Sequence, residues 1–138
     1  MIGTHADNVI ADAVVKGLDR LPLQPSGAPA FELAEAYKFV RKDALEEGDP
    51  AGCFGRLGAL EFGDLGWVPT NRVEHAAART LDFAYNDWGV LQVGKRLGAD
   101  SPAVPGGASE LASLEARTQN YRNAFDPSLG MARGRNDD

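Results

Sequence analysis

TLDFAYNDWGVLQVGKRL, residues 80–97, is the most informative segment of the chain. It belongs to a predicted helix that begins with Thr70 as N-cap and ends at about Leu97, before Gly98. Apolar and aromatic side chains recur in it at three- and four-residue spacing, which predicts one buried face. That face consists of Leu81, Ala84, Tyr85, Trp88, Leu91 and Gln92. The spacing therefore places Trp88 in the core, together with Tyr85 and Leu81.

Three further helices are predicted, from about residue 7 to 16, from about 29 to 48 and from a Ser109 cap to about 125. Glycine or an Asp-Pro pair follows each of them, and both stop helices. The second helix carries the clearest buried stripe, and the fourth carries a weaker one. The stripe of the second helix is Leu33, Tyr37, Val40 and Ala44; that of the fourth is Leu111, Leu114, Thr118, Tyr121 and Phe125.

Residues 52–69 form a connection with a glycine at every third position or so, and residues 21–29 form a proline-rich loop. A short helical turn is predicted at residues 56–61. The connection holds six large apolar side chains that need a buried environment, which argues for an ordered segment rather than a flexible linker. They are Phe54, Leu57, Leu60, Phe62, Leu65 and Trp67.

Composition indicates a single globular domain, because 138 residues with 43% hydrophobic and 25% charged side chains suit one core. The net charge of −6 and the lack of a Lys/Arg cluster argue against binding to a nucleic-acid backbone. The longest run without charges, residues 21–31, contains three prolines, so the sequence predicts no membrane span. A single cysteine, Cys53, excludes an intrachain disulfide and is predicted to be an inert thiol.

The two ends of the chain look like cuts within a fold. The first residues have neither the basic nor the apolar region of a signal peptide and lead almost directly into a helix. The last six residues, RGRNDD, form a polar loop without a closing element.

His5 is the residue whose position most suggests a site. It precedes the first helix, whose free N–H groups can hold oxygen atoms of a ligand, and Thr4 and Asp7 would project there with it. Asp12 lies seven residues on, at roughly the same helix face. The alternative is structural: Thr4 or Asp7 caps the helix and His5 is partly buried. On spacing alone, the structural alternative is favoured.

Other candidate groups favour structural roles. His75, the only other histidine, lies among alanines near a helix start and is predicted to pack or to face solvent. Asp82 and Asp87 are five residues apart and so lie on different faces of a helix, which makes them a poor acid/base pair. No P-loop, dinucleotide fingerprint, zinc-protease motif or nucleophile elbow occurs.

A set of short segments, in this order, resembles the family 92 glycoside hydrolases, which are α-mannosidases. The segments are MIGTHA (1–6), VIADA (9–13), KG (16–17), AY (36–37), RKDA (41–44), LGWVP (65–69), TLDFAYNDW (80–88) and QNYRNAFDP (119–127). Each is weak alone, but together they cover nearly the whole chain. Thr4 and Asn86 depart from the family pattern: the position of Thr4 often holds an acidic or amide residue, and an aspartate is common at the position of Asn86. The departure at Thr4 puts any sugar contact by that side chain in question.

The resemblance implies that the chain is a single internal fragment, residues 1–138, of an all-α (α/α)6 barrel catalytic domain, with about four core helices and their loops. It implies a calcium-dependent, inverting exo-α-mannosidase that acts on mannose-containing glycans and is secreted, periplasmic or on the cell surface. The family's catalytic carboxylates and calcium ligands belong to later motifs such as E-G-N-x-x-Q-Y and G-N-E-P-x-H-H. Neither occurs here, so we expect catalytic residues and metal ligands outside this chain.

The resemblance also implies that Gly3, Thr4 and His5 line the sugar pocket. Because the chain holds only part of a helical ring, its apolar stripes should stay exposed and favour self-association. Two other functions remain open: a small helical interaction or scaffold module without catalysis, and a small enzyme that pairs His5 with Asp12.

Overall fold

The computed structural model describes residues 2–21, 26–51 and 54–138, which fold into an almost entirely helical unit. Its five α-helices are α1 (Ala6–Val15), α2 (Leu33–Leu45), α3 (Ala59–Leu65), α4 (Ala76–Leu97) and α5 (Gly107–Arg117). Short 3-10 helices span Leu18–Arg20 and Asn120–Ala124. A two-stranded antiparallel hairpin, β1 (Phe125–Asp126) and β2 (Met131–Ala132), pairs Phe125 with Ala132 and Asp126 with Met131.

The long helix α4 is the centre of the fold. It packs against α1, α2, α5 and the 3-10 helix at Asn120–Ala124. One apolar cluster joins it to α1, α2 and α5 through Ala11, Tyr37, Val90 and Leu114. A second cluster joins its first half to α3 through Phe62 and Phe83, whose rings meet edge to face with centroids 5.6 Å apart.

Helix α2 agrees well with its predicted stripe. Tyr37, Val40 and Ala44 are buried and Leu33 packs at the edge of the core. The helix begins at Leu33 rather than near residue 29. α1 is also close to its prediction, and Gly17 follows it in the left-handed conformation, with φ of 76°.

The predicted buried face of α4 is wrong at its two aromatic residues. Trp88 is 43% exposed and Tyr85 57% exposed, while Ala84 and Leu91 are buried and Leu81 is partly buried. The side of α4 that faces the core is rotated by about one residue toward the N-terminus relative to the predicted face. It carries small and polar side chains as well as large ones. It includes Thr80, Phe83, Ala84, Asp87, Val90, Leu91 and Gly94.

Close approach of neighbouring helices explains this face. A Cβ atom at Gly89 would lie 2.4 Å from Asn8 Oδ1 of α1, and one at Gly94 would lie 3.0 Å from a ring carbon of Tyr37 of α2. A side chain at either position would force its neighbour to shift, so glycine permits this close approach. α4 therefore meets its neighbours along a face of small residues, and its largest aromatic side chains are left outside.

Other predicted details also differ. α4 starts at Ala76, with His75 before it at a φ of 58°, and not at Thr70. α5 starts at Gly107, and only Leu114 of its predicted stripe is fully buried, because the helix ends at Arg117.

In the connection, Phe62 is buried but Phe54 and Leu60 are exposed, and the predicted turn is the helix α3, three residues later than expected. Cys53 and part of the proline-rich loop lie outside the described residues.

Candidate functional site

The turn before α1 lies against α4 at Asn86. The Thr4 backbone N–H donates a 3.0 Å hydrogen bond to Asn86 Oδ1. A Cβ atom at Gly3 would lie 2.7 Å from the same oxygen and 2.9 Å from Cε1 of His5, so a side chain at that position would force Asn86 or His5 to shift. The structure thus brings the three predicted site residues, Gly3, Thr4 and His5, together beside the middle of α4.

The His5 side chain lies at the surface of this turn. It is 45% exposed, and its Nε2 lies 3.8 Å from Oδ2 of Asp82, whose side chain is 34% exposed. Its Nδ1 lies 3.3 Å from the amide nitrogen of the buried Asn86. An imidazole and a carboxylate therefore stand side by side and reach solvent, next to a buried amide that contacts both the imidazole and the turn.

The structure contradicts the cap of the structural alternative, but the His5 side chain, 45% exposed, is partly buried as that alternative expected. His5 itself occupies the N-cap position of α1, and no side chain caps the helix there. The Thr4 hydroxyl donates instead to the Asp7 carboxylate at 2.5 Å. Asp12 forms an exposed ion pair with Lys16 at 2.6 Å and is not joined to His5, which removes the support for a His5–Asp12 enzyme. His75 is exposed, as expected for a surface residue.

A buried charge cluster supports the turn from below; it comprises Asp7, Asp43, Arg56, Asp87 and Arg117. Arg56 is completely buried and donates to Thr4 Oγ1 at 2.8 Å, to Asp7 at 2.9 Å and to Asp87. Arg117 donates to the other oxygen of Asp87 at 2.7 Å and to the Ala44 carbonyl at 2.8 Å. The cluster thereby ties the turn to α2, α4 and α5.

Phenylalanine rings line the two guanidinium groups. Arg56 lies over Phe83 at 5.5 Å and Arg117 over Phe62 at 5.3 Å, both measured to the ring centroid. Ring faces attract cations, and more strongly where water is excluded. The arginines therefore gain contacts from the second apolar cluster as well as from the carboxylates.

The protonation of the cluster follows from its charge balance. Burial raises the pKa of Asp7 from 3.8 to about 6, against the opposing effect of Thr4 and Arg56, and the neighbouring Asp43 adds to the rise. Burial also raises the pKa of Asp43, although Arg56 opposes it. Three carboxyl groups face two guanidinium groups, so one proton on Asp7 makes the cluster neutral.

Sequence reasoning missed most of this cluster. Asp87 carried a usable signal, because it lies between Phe83 and Val90 at helical spacing, and a charge in the middle of a buried stripe implies a buried partner. Arg56 carried none, since it lies in a glycine-rich connection with no periodicity. As expected, Asp82 and Asp87 lie on different faces of α4, one partly exposed and the other completely buried.

The exposed aromatic side chains of Tyr85, Trp88 and Tyr121 line a groove of about 380 Å³ between α4 and the start of the 3-10 helix Asn120–Ala124. We call it the aromatic groove. Its lining residues are Leu81, Ala84, Tyr85, Trp88, Thr118, Gln119 and Tyr121. Within the described part of the chain, no helix is long and apolar enough to cross a membrane. In the same part, no three His, Cys, Asp or Glu side chains are grouped so that they could hold a metal ion.

Comparison with known proteins identifies the family. The family model described as the glycosyl hydrolase family 92 catalytic domain matches residues 1–138. The chain belongs to glycosyl hydrolase family 92. A curated relative, an uncharacterized secreted glycosidase of Arthroderma benhamiae, is 30% identical over 106 residues, which are 71% of this chain and 13% of that protein.

Solved family 92 structures share the fold of the chain. A family GH92 α-mannosidase of Bacteroides thetaiotaomicron, in complex with mannoimidazole, is 26% identical with a TM-score of 0.72 over 99% of this chain. A family GH92 inverting mannosidase of the same organism is 24% identical with a TM-score of 0.78 over 99% of the chain. This chain spans only 15% of the first structure and 16% of the second.

Proposed function

We propose that this chain is part of a calcium-dependent, inverting exo-α-mannosidase that acts on mannose-containing glycans. The observation that carries the proposal is the family 92 match over all 138 residues, together with the likeness to solved mannosidases. In this proposal the helices form part of an (α/α)6 barrel wall. The whole enzyme would be secreted, periplasmic or on the cell surface, in keeping with a relative described as secreted.

The chain's own contribution would be the sugar contact of the turn at Gly3, Thr4 and His5. A sugar ring offers hydroxyl groups on neighbouring carbons, each of which both donates and accepts hydrogen bonds. His5 and Asp82, with 3.8 Å between Nε2 and Oδ2, can hold two such hydroxyl groups at once. The buried cluster beneath, centred on Arg56, would keep the turn rigid, as a sugar site requires.

The catalytic carboxyl groups and the calcium ligands are assigned outside this chain. Inversion needs an acid and a base roughly 6.5–9.5 Å apart with room for a water between them. Asp7 and Asp87 lie on either side of Arg56 and are completely buried or nearly so. Held by guanidinium groups, they do not fit the role of calcium ligands.

Expression of the longer product of the reading frame that contains this chain tests the proposal. It should release mannose from aryl and disaccharide α-mannosides, lose activity with a chelator and regain it with calcium. Proton NMR of the first product should show β-mannose, the inverted anomer. Hydrolysis of α-glucosides at the same rate, or release of α-mannose first, would contradict the proposal.

A helical interaction module without catalysis is the second candidate. The aromatic groove favours it, because contiguous apolar patches of this kind mark protein contacts. A longer product that folds and binds a partner but hydrolyses no glycoside would favour this function.

A further inference from the structure

The amide of Asn86 has only one orientation that satisfies its neighbours. The backbone N–H of Thr4 can only donate, and it points at Asn86 Oδ1 from 3.0 Å. The other end of the amide, the NH₂ group, must therefore face His5 Nδ1, 3.3 Å away. Asn86 is completely buried, so neither end can turn to water instead.

This orientation determines the tautomer of His5. An amide NH₂ group has no acceptor lone pair, so it can form a hydrogen bond only with an unprotonated imidazole nitrogen. His5 Nδ1 must then be the bare nitrogen, and in the neutral ring the proton sits on Nε2. Nε2 is the nitrogen that lies 3.8 Å from Asp82 Oδ2, on the exposed side of the turn.

We infer that Asn86 is a positioning residue that holds His5 with its proton on Nε2 and so presents a hydrogen-bond donor beside the Asp82 acceptor. The ligand atom that His5 meets is consequently an oxygen with free lone pairs, such as a sugar hydroxyl, and not a metal cation, which needs the bare nitrogen. The assignment of that oxygen to a sugar rests on the proposed function. The tautomer itself does not.

Nitrogen-15 NMR of the two histidines in this 138-residue chain tests the inference directly. At pH 9, where ordinary histidines are neutral, His5 should show an unprotonated Nδ1 and a protonated Nε2, with that tautomer favoured by about tenfold or more. His75 is exposed and serves as the reference imidazole within the same spectrum. Substitution H75Q assigns the signals. If His5 has the same tautomer ratio as His75, the inference is overturned.

Asn86→Asp provides the stronger arm of the experiment. The aspartate keeps an oxygen for the Thr4 N–H but replaces the NH₂ group with an acceptor, so His5 should switch to the Nδ1-protonated tautomer. Asn136→Asp, which adds the same charge at an exposed position, should leave His5 unchanged. A His5 spectrum that is the same in the Asn86→Asp and wild-type chains would overturn the inference. The wild-type spectrum decides the question even if this variant does not fold.

A titration of the longer product, in which the rest of the sugar site is present, with methyl α-mannoside separates the two proposals. Movement of the His5 signals without movement of His75 supports both the positioning role and the sugar contact. If the predicted tautomer is found but mannoside leaves His5 unmoved, the sugar contact of the proposed function fails and the role of Asn86 stands.

Discussion

Arg56→Met is predicted to be among the most destabilising single changes in the chain. Arg56 has no exposed surface and supplies hydrogen bonds to Asp7, Asp87 and Thr4. Methionine fills much of the same volume and preserves contact with Phe83, so the loss is chiefly that of charge and hydrogen bonding. Removing one partner of a buried ion pair costs about 3–5 kcal/mol, because the remaining charge has no compensation.

The pH dependence of this cost follows from the two carboxylates. Asp87 retains its 2.7 Å hydrogen bond from Arg117. Asp7, with its pKa raised to about 6, is mostly neutral at pH 5 and needs no cation there. The free energy of unfolding lost in the Arg56→Met variant should therefore lie near 3 kcal/mol at pH 5 and near 5 kcal/mol at pH 8, both order-of-magnitude values.

Urea unfolding at pH 5 and pH 8, followed by circular dichroism, measures this difference. Arg72→Met is the matched control, because Arg72 is exposed and pairs with Asp137 at the surface. That pair should contribute about 0–1 kcal/mol. If Arg56→Met costs no more than Arg72→Met at pH 8, the buried charge cluster does not support the turn as described.

Three further predictions concern other parts of the fold. Asp7→Asn should abolish the part of the pH dependence of the free energy of unfolding that Asp7 causes. The pKa of Asp7 rises from 3.8 to about 6 on folding. The contribution of Asp7 to stability is therefore complete below about pH 3.8 and is lost as pH rises through 6. Urea titrations should show the wild-type advantage over Asp7→Asn shrinking by about 2 kcal/mol from pH 4 to pH 7. Gly89→Ala should cost about 1–3 kcal/mol in the same assay, since its Cβ would meet Asn8 Oδ1, whereas Gly63→Ala, with no atom nearer than 3.7 Å, should be neutral or slightly stabilising. Trp88→Ala should cost about 1 kcal/mol of stability, below the 3–5 kcal/mol typical of a buried tryptophan, because Trp88 is 43% exposed. The same variant should show reduced self-association in sedimentation velocity. An unchanged sedimentation profile would show that the aromatic groove does not mediate association.

The sequence allowed correct prediction where burial follows hydrophobicity. Tyr37, Val40 and Ala44 of α2 alternate with charged residues at helical spacing, so their pattern and their burial agree. Hydrophobic spacing gave a wrong prediction for the aromatic residues of α4, because glycines determine its contacts with neighbouring helices and Trp88 lies in the aromatic groove. A hydrophobic pattern gives glycine little weight, although the approach of α1 to Gly89 depends on its lack of a side chain.

The candidate site was predictable only in outline. Gly3, Thr4 and His5 could be placed at a helix start from the sequence, but their contacts with Asn86 and Asp82 span about eighty positions and leave no local pattern. The position of Arg56 was even harder to predict, because no neighbouring residue in the sequence indicates that Arg56 is buried. Its position follows from pairing with carboxylates on two other helices, which only the assembled fold brings together.

Assay of α-mannosidase activity in the purified 138-residue chain tests the central claim most directly. In the proposed function, the chain would contribute part of a helical wall and a sugar-contacting turn, and the catalytic pair and the calcium ligands would lie elsewhere in the enzyme. The account predicts no release of mannose from aryl or disaccharide α-mannosides, with or without added calcium. Calcium-dependent release that a chelator stops would contradict it and would place the catalytic residues within these 138 positions.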